Sequence, residues 1–398
     1  MSEPTGRWRQ LALLATAELL GMSVWFAATA VAPSLAVNLA LGPAQVGWLT
    51  SAVQLGFVVG TLLAAILNLA DIIPARRYFA GAALVAAAAN AALLLAGSFP
   101  AALATRVLTG VALAGVYPPA MKMAATWFRR GRGVAIGTIV GALTAGKALP
   151  YLLEGLGTVP LAPAVLIPSA AAILAGALIL FGYRDGPLPF PARPFSWGLI
   201  GAVLREPGVR RATGGYLGHM WELYAFWAWV PAFLAAAGGR PGEPASAGLW
   251  PFAVVAIGAL GAVWGGSVAD RIGRLAVVRR ALMVSGLCCL CSPILFVAPR
   301  PLLLAVLLLW GVAVIADSAQ FSAMVTEFAP AHAVGTALTL QTSLGFLLSI
   351  VTIQAVPAVA GLLGWRWAML GLALGPAIGL LLVGRGARPL PSGAARGR

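Results

Sequence analysis

Gly266-Ser267-Val268-Ala269-Asp270-Arg271-Ile272-Gly273-Arg274 falls where a long apolar run ends, and it gathers an acid, two arginines and two glycines in one short stretch. An earlier stretch, Ala70-Asp71-Ile72-Ile73-Pro74-Ala75-Arg76-Arg77, follows another apolar run and repeats the order of acid then bases. The two aspartates are 199 residues apart, half of the 398-residue chain. The glycines of Arg132-Gly133-Val134-Ala135-Ile136-Gly137 and of Val334-Gly335-Thr336-Ala337-Leu338 are separated by a similar interval. A period of half the chain means one structural unit used twice.

The residues between these stretches fix the environment. Apolar residues make up 61% of the chain and charged residues only 9%, against about 25% in an ordinary soluble domain. Eleven acids and 26 bases cannot cover the surface of a soluble protein of this length, and neither a disordered chain nor a disulfide scaffold fits. Twelve apolar runs have membrane-spanning length, at residues 10–37, 45–70, 78–97, 100–127, 133–156, 160–183, 211–237, 246–269, 278–298, 301–327, 333–357 and 363–384. They are continuous and rich in Ala, Leu and Gly, which predicts helices rather than the alternating strands of a barrel. The expected fold is an all-α membrane protein.

The net charge of +15 is orientation, not a nucleic-acid footprint. Arginines cluster in alternate loops: with the N-terminus in the cytoplasm, 20 bases fall on that side, among them Arg76, Arg77, Arg129, Arg130, Arg271, Arg274, Arg279 and Arg280. Only Arg240, Arg300 and Arg366 fall on the other. This bias predicts both termini in the cytoplasm of a multi-pass protein, with a bacterial inner membrane as its location. A proline-rich loop with Pro187, Pro189, Pro191, Pro194 and Pro207 divides the chain into a six-helix unit 1–183, a linker 184–210, a second unit 211–385 and a tail 386–398. Within the linker, Phe195 to Leu204 is expected to lie on the membrane surface. Cys288, Cys289 and Cys291 sit in one apolar run and read as small buried side chains.

At this point the sequence resembles the major facilitator superfamily. Gly266 to Arg274 is almost the whole of that family's loop motif, Gly-x-x-x-Asp-Arg-x-Gly-Arg, whereas the copy at Asp71 keeps the acid and bases but lacks both glycines. Arg106-Val107-Leu108-Thr109-Gly110 resembles the family's fourth-helix motif, and Trp127 to Gly137 the helix 4–5 junction of its anion-transporting branches. The resemblance implies twelve helices in two parallel halves, a cavity lined by helices 1, 4, 7 and 10 with 2, 5, 8 and 11 beside them, and a monomer. It also implies that Asp71, Arg76, Arg77, Asp270, Arg271 and Arg274 form a cytoplasmic latch. Physically, each carboxylate leaves the membrane beside guanidinium groups and can clamp helix ends together in one of two states. The alternative is a plain basic loop that orients the chain.

The bilayer penalises ionisable residues within spans, so these carry the functional reading. Glu18, Arg106, Lys122, Lys147, His219, Glu222 and Asp317 all lie in runs. The six formal charges, central and unpaired, would cost about 15–20 kcal/mol. They must pair, titrate or face water, and they fall on helices 1, 4, 5, 7 and 10, with none in the central parts of helices 3, 6, 9 and 12. Both lysines of the chain are among them. Lys147 is mid-helix and shares a face with Thr144, Tyr151 and Glu154, whereas Lys122 either enters the cavity or snorkels to the cytoplasmic side. Gly133, Gly137, Gly141 and Ala145 form a second, small-residue face on the same helix, suited to close helix packing.

His219 and Glu222 are spaced to share a proton, or to form a structural pair. Asp317 shares a face with Gln320, and Glu18 with Trp25. The expected substrate-binding set is Arg106, Lys122, Lys147, Tyr151, Trp25, Gln54, Trp221, Gln320 and Gln341, and the proton-coupling set is Glu18, His219, Glu222 and Asp317. The function these predict is proton-coupled symport of a small anionic solute by alternating access, with proton-driven efflux of amphipathic compounds as the alternative. No nucleophile–base constellation, nucleotide loop or metal-ligand spacing occurs, so the chain is expected to be no enzyme and to use no cofactor or metal. Its expected partners are a small-molecule substrate, protons and the lipid bilayer, and no nucleic acid.

Overall fold

The structure is a computed structural model that describes residues 4–128, 130–156, 160–188, 195–238 and 249–384; the side chains of Pro43, Ala70 and Asp71 are not described. All regular secondary structure among the described residues is helical. Among the described residues, ten helices are long and apolar enough to cross a membrane. They are α2 (Ala44–Ile66), α3 (Ala75–Leu95), α4 (Phe99–Ala125), α5 (Arg132–Gly155), α6 (Leu161–Gly182), α8 (Leu249–Ile272), α9 (Arg274–Leu295), α10 (Arg300–Phe328), α11 (Ala331–Leu363) and α12 (Trp365–Gly384). Two more helices, α1 (Arg7–Met22) and α7 (Pro207–Ala237), pack in the same bundle. The span expected over 10–37 is thus broken: α1 ends at Met22, a turn covers Ser23 to Phe26, and short helices follow at Ala27–Ala30 and Ala32–Asn38.

Helix boundaries follow local chemistry. Proline stands in the first turn of α4, α7 and α10, where its missing N–H is no loss. Gly131 and Gly273, at φ +68 and +87, turn the chain into α5 and α9 through conformations that a Cβ disfavours. In the linker, Trp197–Leu199 forms a 3-10 turn and Ile200–Arg205 a short helix with Trp197 and Leu204 exposed. The Ser196 N–H donates to Thr336 Oγ1 at 2.9 Å, tying the linker to the start of α11. Linker residues 189–194 and the tail 386–398 lie outside the described residues.

The half-chain period is visible in the packing. A Cβ on Gly110 of α4 would lie 2.2 Å from the Val53 carbonyl oxygen of α2, and one on Gly311 of α10 would lie 2.0 Å from that of Val254 in α8. The same close backbone approach is thus built twice, with equal sequence spacing. Helices α1 to α6 contact mainly one another, as do α7 to α12. The two sets meet along α5 against α8 and along α2 against α11. At the arginine-rich end, Gly133 and Gly137 of α5 press on the carbonyls of Gly266 and Ala262. Toward the other end, Gln354 Nε2 of α11 donates to Ser51 Oγ of α2 at 3.1 Å.

Candidate functional site

Among the described residues, the fully buried ionisable groups fall into three clusters. One lies between the two sets of helices. Gly146 of α5 has no side chain, so its backbone approaches the Leu19 carbonyl of α1: a Cβ there would lie 2.2 Å away. That contact brings Lys147 beside Glu18, and the two interact electrostatically. Lys147 is fully buried, and its ammonium sits 3.6 Å from the ring centroid of Trp25, 4.5 Å from Tyr224 and 5.7 Å from Trp227. It also donates to the Tyr224 hydroxyl of α7. Tyr151, one turn further along α5, donates to the Trp227 carbonyl at 3.0 Å.

Aromatic side chains close this box. Trp25 contacts Phe57 of α2 at 5.2 Å and Phe346 of α11 at 5.8 Å, while Phe346 meets Tyr224 at 5.1 Å. Phe26 stacks on Tyr151 at 5.8 Å. Several buried polar atoms on these helices have no partner: both carboxylate oxygens of Glu18, the indole N–H groups of Trp25 and Trp227, and both amide atoms of Gln54 and Gln341. Buried polar groups are ordinarily paired, because each orphan costs about 1–3 kcal/mol. These unpartnered atoms lie on α1 and the turn after it, α2, α7 and α11, the elements that supply the aromatic rings of the box.

The second centre is built on Arg106 of α4. The guanidinium donates to Asn90 Oδ1 at 2.9 Å, to the Val24 carbonyl at 3.1 Å and to the Trp25 carbonyl. Both carbonyls lie in the break after α1, where the Val24 carbonyl keeps only a long 3.5 Å bond from the Ala27 N–H, so the arginine supplies donors that regular helix does not. Asn90 is in turn held by the Val165 carbonyl and Ser169 Oγ of α6, each at 3.0 Å. Arg106 therefore fixes the turn that carries Trp25, and does not itself enter the box.

The third centre lies inside the second set of helices. His219 Nδ1 stands 2.9 Å from Asp317 Oδ1 of α10. The contact is an ion-pair distance without hydrogen-bond alignment, since that oxygen and His219 Nε2 both lack a hydrogen-bond partner. The i, i+3 spacing suggested a His219–Glu222 pair, but the two side chains serve different neighbours. Glu222 accepts from Ser285 Oγ at 2.9 Å, from the Cys289 thiol at 3.3 Å and from the Trp310 indole N–H. Trp310 itself stacks on Phe226 at 4.2 Å.

Other expected residues fall elsewhere. Lys122 is only partly buried and lines a cavity of about 340 Å³ at the arginine-rich end, with Ile72, Pro74, Thr126, Tyr183 and Asp185, so it takes the snorkelling alternative. Trp221 faces α12, where its indole N–H donates to the Gly371 carbonyl at 3.1 Å. Gln320 accepts from Arg274 at 3.2 Å rather than facing the box. In the loop motif, Arg274 pairs with Glu327 at 2.7 Å, not with Asp270. The reason is the turn at Gly273, which starts α9 with Arg274 beside the end of α10. Asp270 instead places its carboxylate against Gly133 at the start of α5. Arg76, Arg77 and Arg271 make no side-chain hydrogen bond or ion pair among the described residues, and the Asp71 side chain lies outside them.

The family model for the Major Facilitator Superfamily matches residues 13–353. The chain belongs to this superfamily. Solved structures agree in fold. The human organic anion transporter MFSD10 (TETRAN) superposes with a TM-score of 0.72 at 18% identity, covering 96% of this chain and 100% of that one. A bacterial homologue of the human lysosomal transporter Spinster, inward-facing and unoccupied, gives 0.71 at 15% identity over 96% and 97%. The same homologue, inward-facing and occupied, gives 0.70 at 16% over 99% and 100%. No curated protein sequence matches the chain. Superfamily membership makes the protein a multi-pass membrane transporter of small molecules, not an enzyme.

Proposed function

We propose that the protein carries a small organic anion through the membrane by alternating access, coupled to protons, with Lys147 as the anion-binding group. The observation that carries this reading is the fully buried Lys147 ammonium at the junction of the two helix sets, held against aromatic rings. A mid-membrane ammonium that reaches no solvent is expensive, and alternate exposure to either side gives it a purpose. The human neighbour described as an organic anion transporter is consistent with an anionic solute.

In this proposal α1 and α7 also cross the membrane, giving twelve spans, both termini in the cytoplasm, and two six-helix halves, 1–183 and 211–385, joined by the linker 184–210. The protein acts as a monomer in a bacterial inner membrane. Trp25, Tyr151, Gln54 and Gln341 complete the solute site. Glu18 in the box, and the His219–Asp317 pair with Glu222 inside the second half, carry protons. The Asp270 contact with the start of α5 and the Arg274–Glu327 pair close the cytoplasmic end. The wall of Trp25, Phe26, Phe57, Tyr224, Trp227 and Phe346 also favours a second reading, efflux of amphipathic compounds.

Uptake of organic anions into proteoliposomes under an imposed pH gradient separates the two. Anion accumulation in the direction of proton flow supports symport. If Lys147→Ala leaves the transport of every anionic candidate untouched, the substrate class is wrong.

A further inference from the structure

The Lys147 ammonium lies where a cation is well held: over the Trp25 ring at 3.6 Å, at the hydroxyl edge of Tyr224, to which it donates, and 5.7 Å from the Trp227 ring centroid. Aromatic faces carry negative potential and attract ammonium groups, most strongly when water is excluded, and here every one of these side chains is buried. The same faces repel a carboxylate. An anion that binds Lys147 therefore approaches the ammonium on the side away from the Trp25 face. Beside this aromatic cage stands Glu18, fully buried, with neither carboxylate oxygen hydrogen-bonded. The indole N–H groups of Trp25 and Trp227 are likewise unpartnered donors. The box thus offers an acceptor and ring faces to a cation, and a lysine and indole donors to an anion.

We infer that Trp25, Tyr224, Trp227 and Glu18 form an ammonium subsite that the Lys147 side chain fills in this structure, and that the transported solute is a zwitterion. Its carboxylate draws Lys147 out of the cage, and its own cationic group takes the vacated place beside Glu18. Glu18 and Lys147 together are neutral; a zwitterion keeps the site neutral by itself, whereas a monoanion keeps it neutral only together with the proton of the proposed symport. The inference rests on the anion-binding role proposed for Lys147 and deepens it.

The test has two arms, both on the purified full chain and read by thermal unfolding. In the first, methylammonium chloride is titrated into wild type, Lys147→Ala and the double variant Lys147→Ala/Glu18→Gln, with sodium chloride as the ionic control. Methylammonium should raise the unfolding temperature of Lys147→Ala saturably and leave the other two unchanged. Lys147→Met, which keeps the side-chain volume, replaces the alanine variant if that one fails to fold. No saturable shift in either lysine variant overturns the ammonium subsite. In the second arm, matched pairs are compared on wild type: acetate with glycine betaine, and butyrate with 4-aminobutyrate. The zwitterion of at least one pair should bind about tenfold or more tightly than its monoanion, and Trp25→Leu should abolish the difference. Equal binding of both members, lost in Lys147→Ala, overturns the zwitterion and leaves the anion reading intact. If neither class binds in any pair, the anion reading falls and takes this inference with it.

Discussion

Replacing Gly137 by alanine tests whether the contact of α5 with α8 is a closure that must open. A Cβ at this position would lie 2.6 Å from the Ala262 carbonyl oxygen and 3.3 Å from the Ala262 carbonyl carbon. Ordinary contact begins near 3.4 Å, so the helices must separate by roughly 0.8 Å or bend. The neighbour is backbone in a helix and cannot rotate away. Overpacking of this kind costs about 1–3 kcal/mol. The cost falls only on the state in which α5 and α8 touch, so it becomes a shift of about 5- to 150-fold toward the state open at the arginine-rich end. Gly266→Ala should act in the same direction, because its Cβ would lie 2.2 Å from the Gly133 carbonyl oxygen. Spin labels at the arginine-rich ends of α5 and α8 would report the distance distribution by electron resonance. A longer-distance population should grow in both variants, while the opposite end, where Gln354 meets Ser51, stays closed. An unchanged distribution in a folded variant would refute the idea that this seam separates.

Three further outcomes follow from the buried centres and the surface pair. Arg106→Ala should destabilise the protein by about 3–5 kcal/mol, read as a lower unfolding temperature, because Asn90 and the Val24 and Trp25 carbonyls lose a charged donor; Arg106→Lys should rescue only part, since an ammonium cannot reproduce the fork. Glu222→Ala should cost several kcal/mol in the same assay, at about 1–3 for each of the Ser285 and Trp310 donors it strands, whereas Glu222→Gln keeps an acceptor and should cost much less. Glu327→Ala should change stability by at most about 1 kcal/mol, because the Arg274–Glu327 pair is partly exposed and screened by solvent.

Much of this architecture was legible from hydropathy, loop charge and the half-chain repeat, because the bilayer imposes those patterns directly. The site was legible only in part. Lys147 and Glu18 stood out because a charge inside a span needs a reason, and the structure brings them together. Arg106 stood out for the same cause, and in the structure its guanidinium bonds to Asn90 and to the Val24 and Trp25 carbonyls. Gly21 and Ser23 flank the end of α1, but they are a weak signal in a chain with 48 glycines, and no proline marks the break. The carbonyls that claim the guanidinium were therefore invisible. The His219 and Glu222 spacing was right for one helix face, but partner choice is tertiary: Asp317 comes from α10, and Ser285 and Cys289 come from α9. The aromatics were the hardest to apportion. Trp221 and Trp227 lie on the same helix, yet one bonds to α12 and the other flanks Lys147. Apolar rings carry no mark of which neighbour they face. One weak signal did exist for Tyr224, which stands 199 residues after Trp25, the interval that separates the two aspartates of the repeat.

The claim at the centre of this account is that the box around Lys147 opens to each side of the membrane in turn and closes over solute. Phe346 touches Trp25, Phe57 and Tyr224, so a single cysteine at this position in a Cys288→Ser/Cys289→Ser/Cys291→Ser background reports directly on the box. Reaction of Phe346→Cys with a membrane-impermeant maleimide should proceed from either face of sealed vesicles and slow when transported solute is present. A thiol unreactive from both faces, or one that reacts at the same rate with and without solute, would contradict the account.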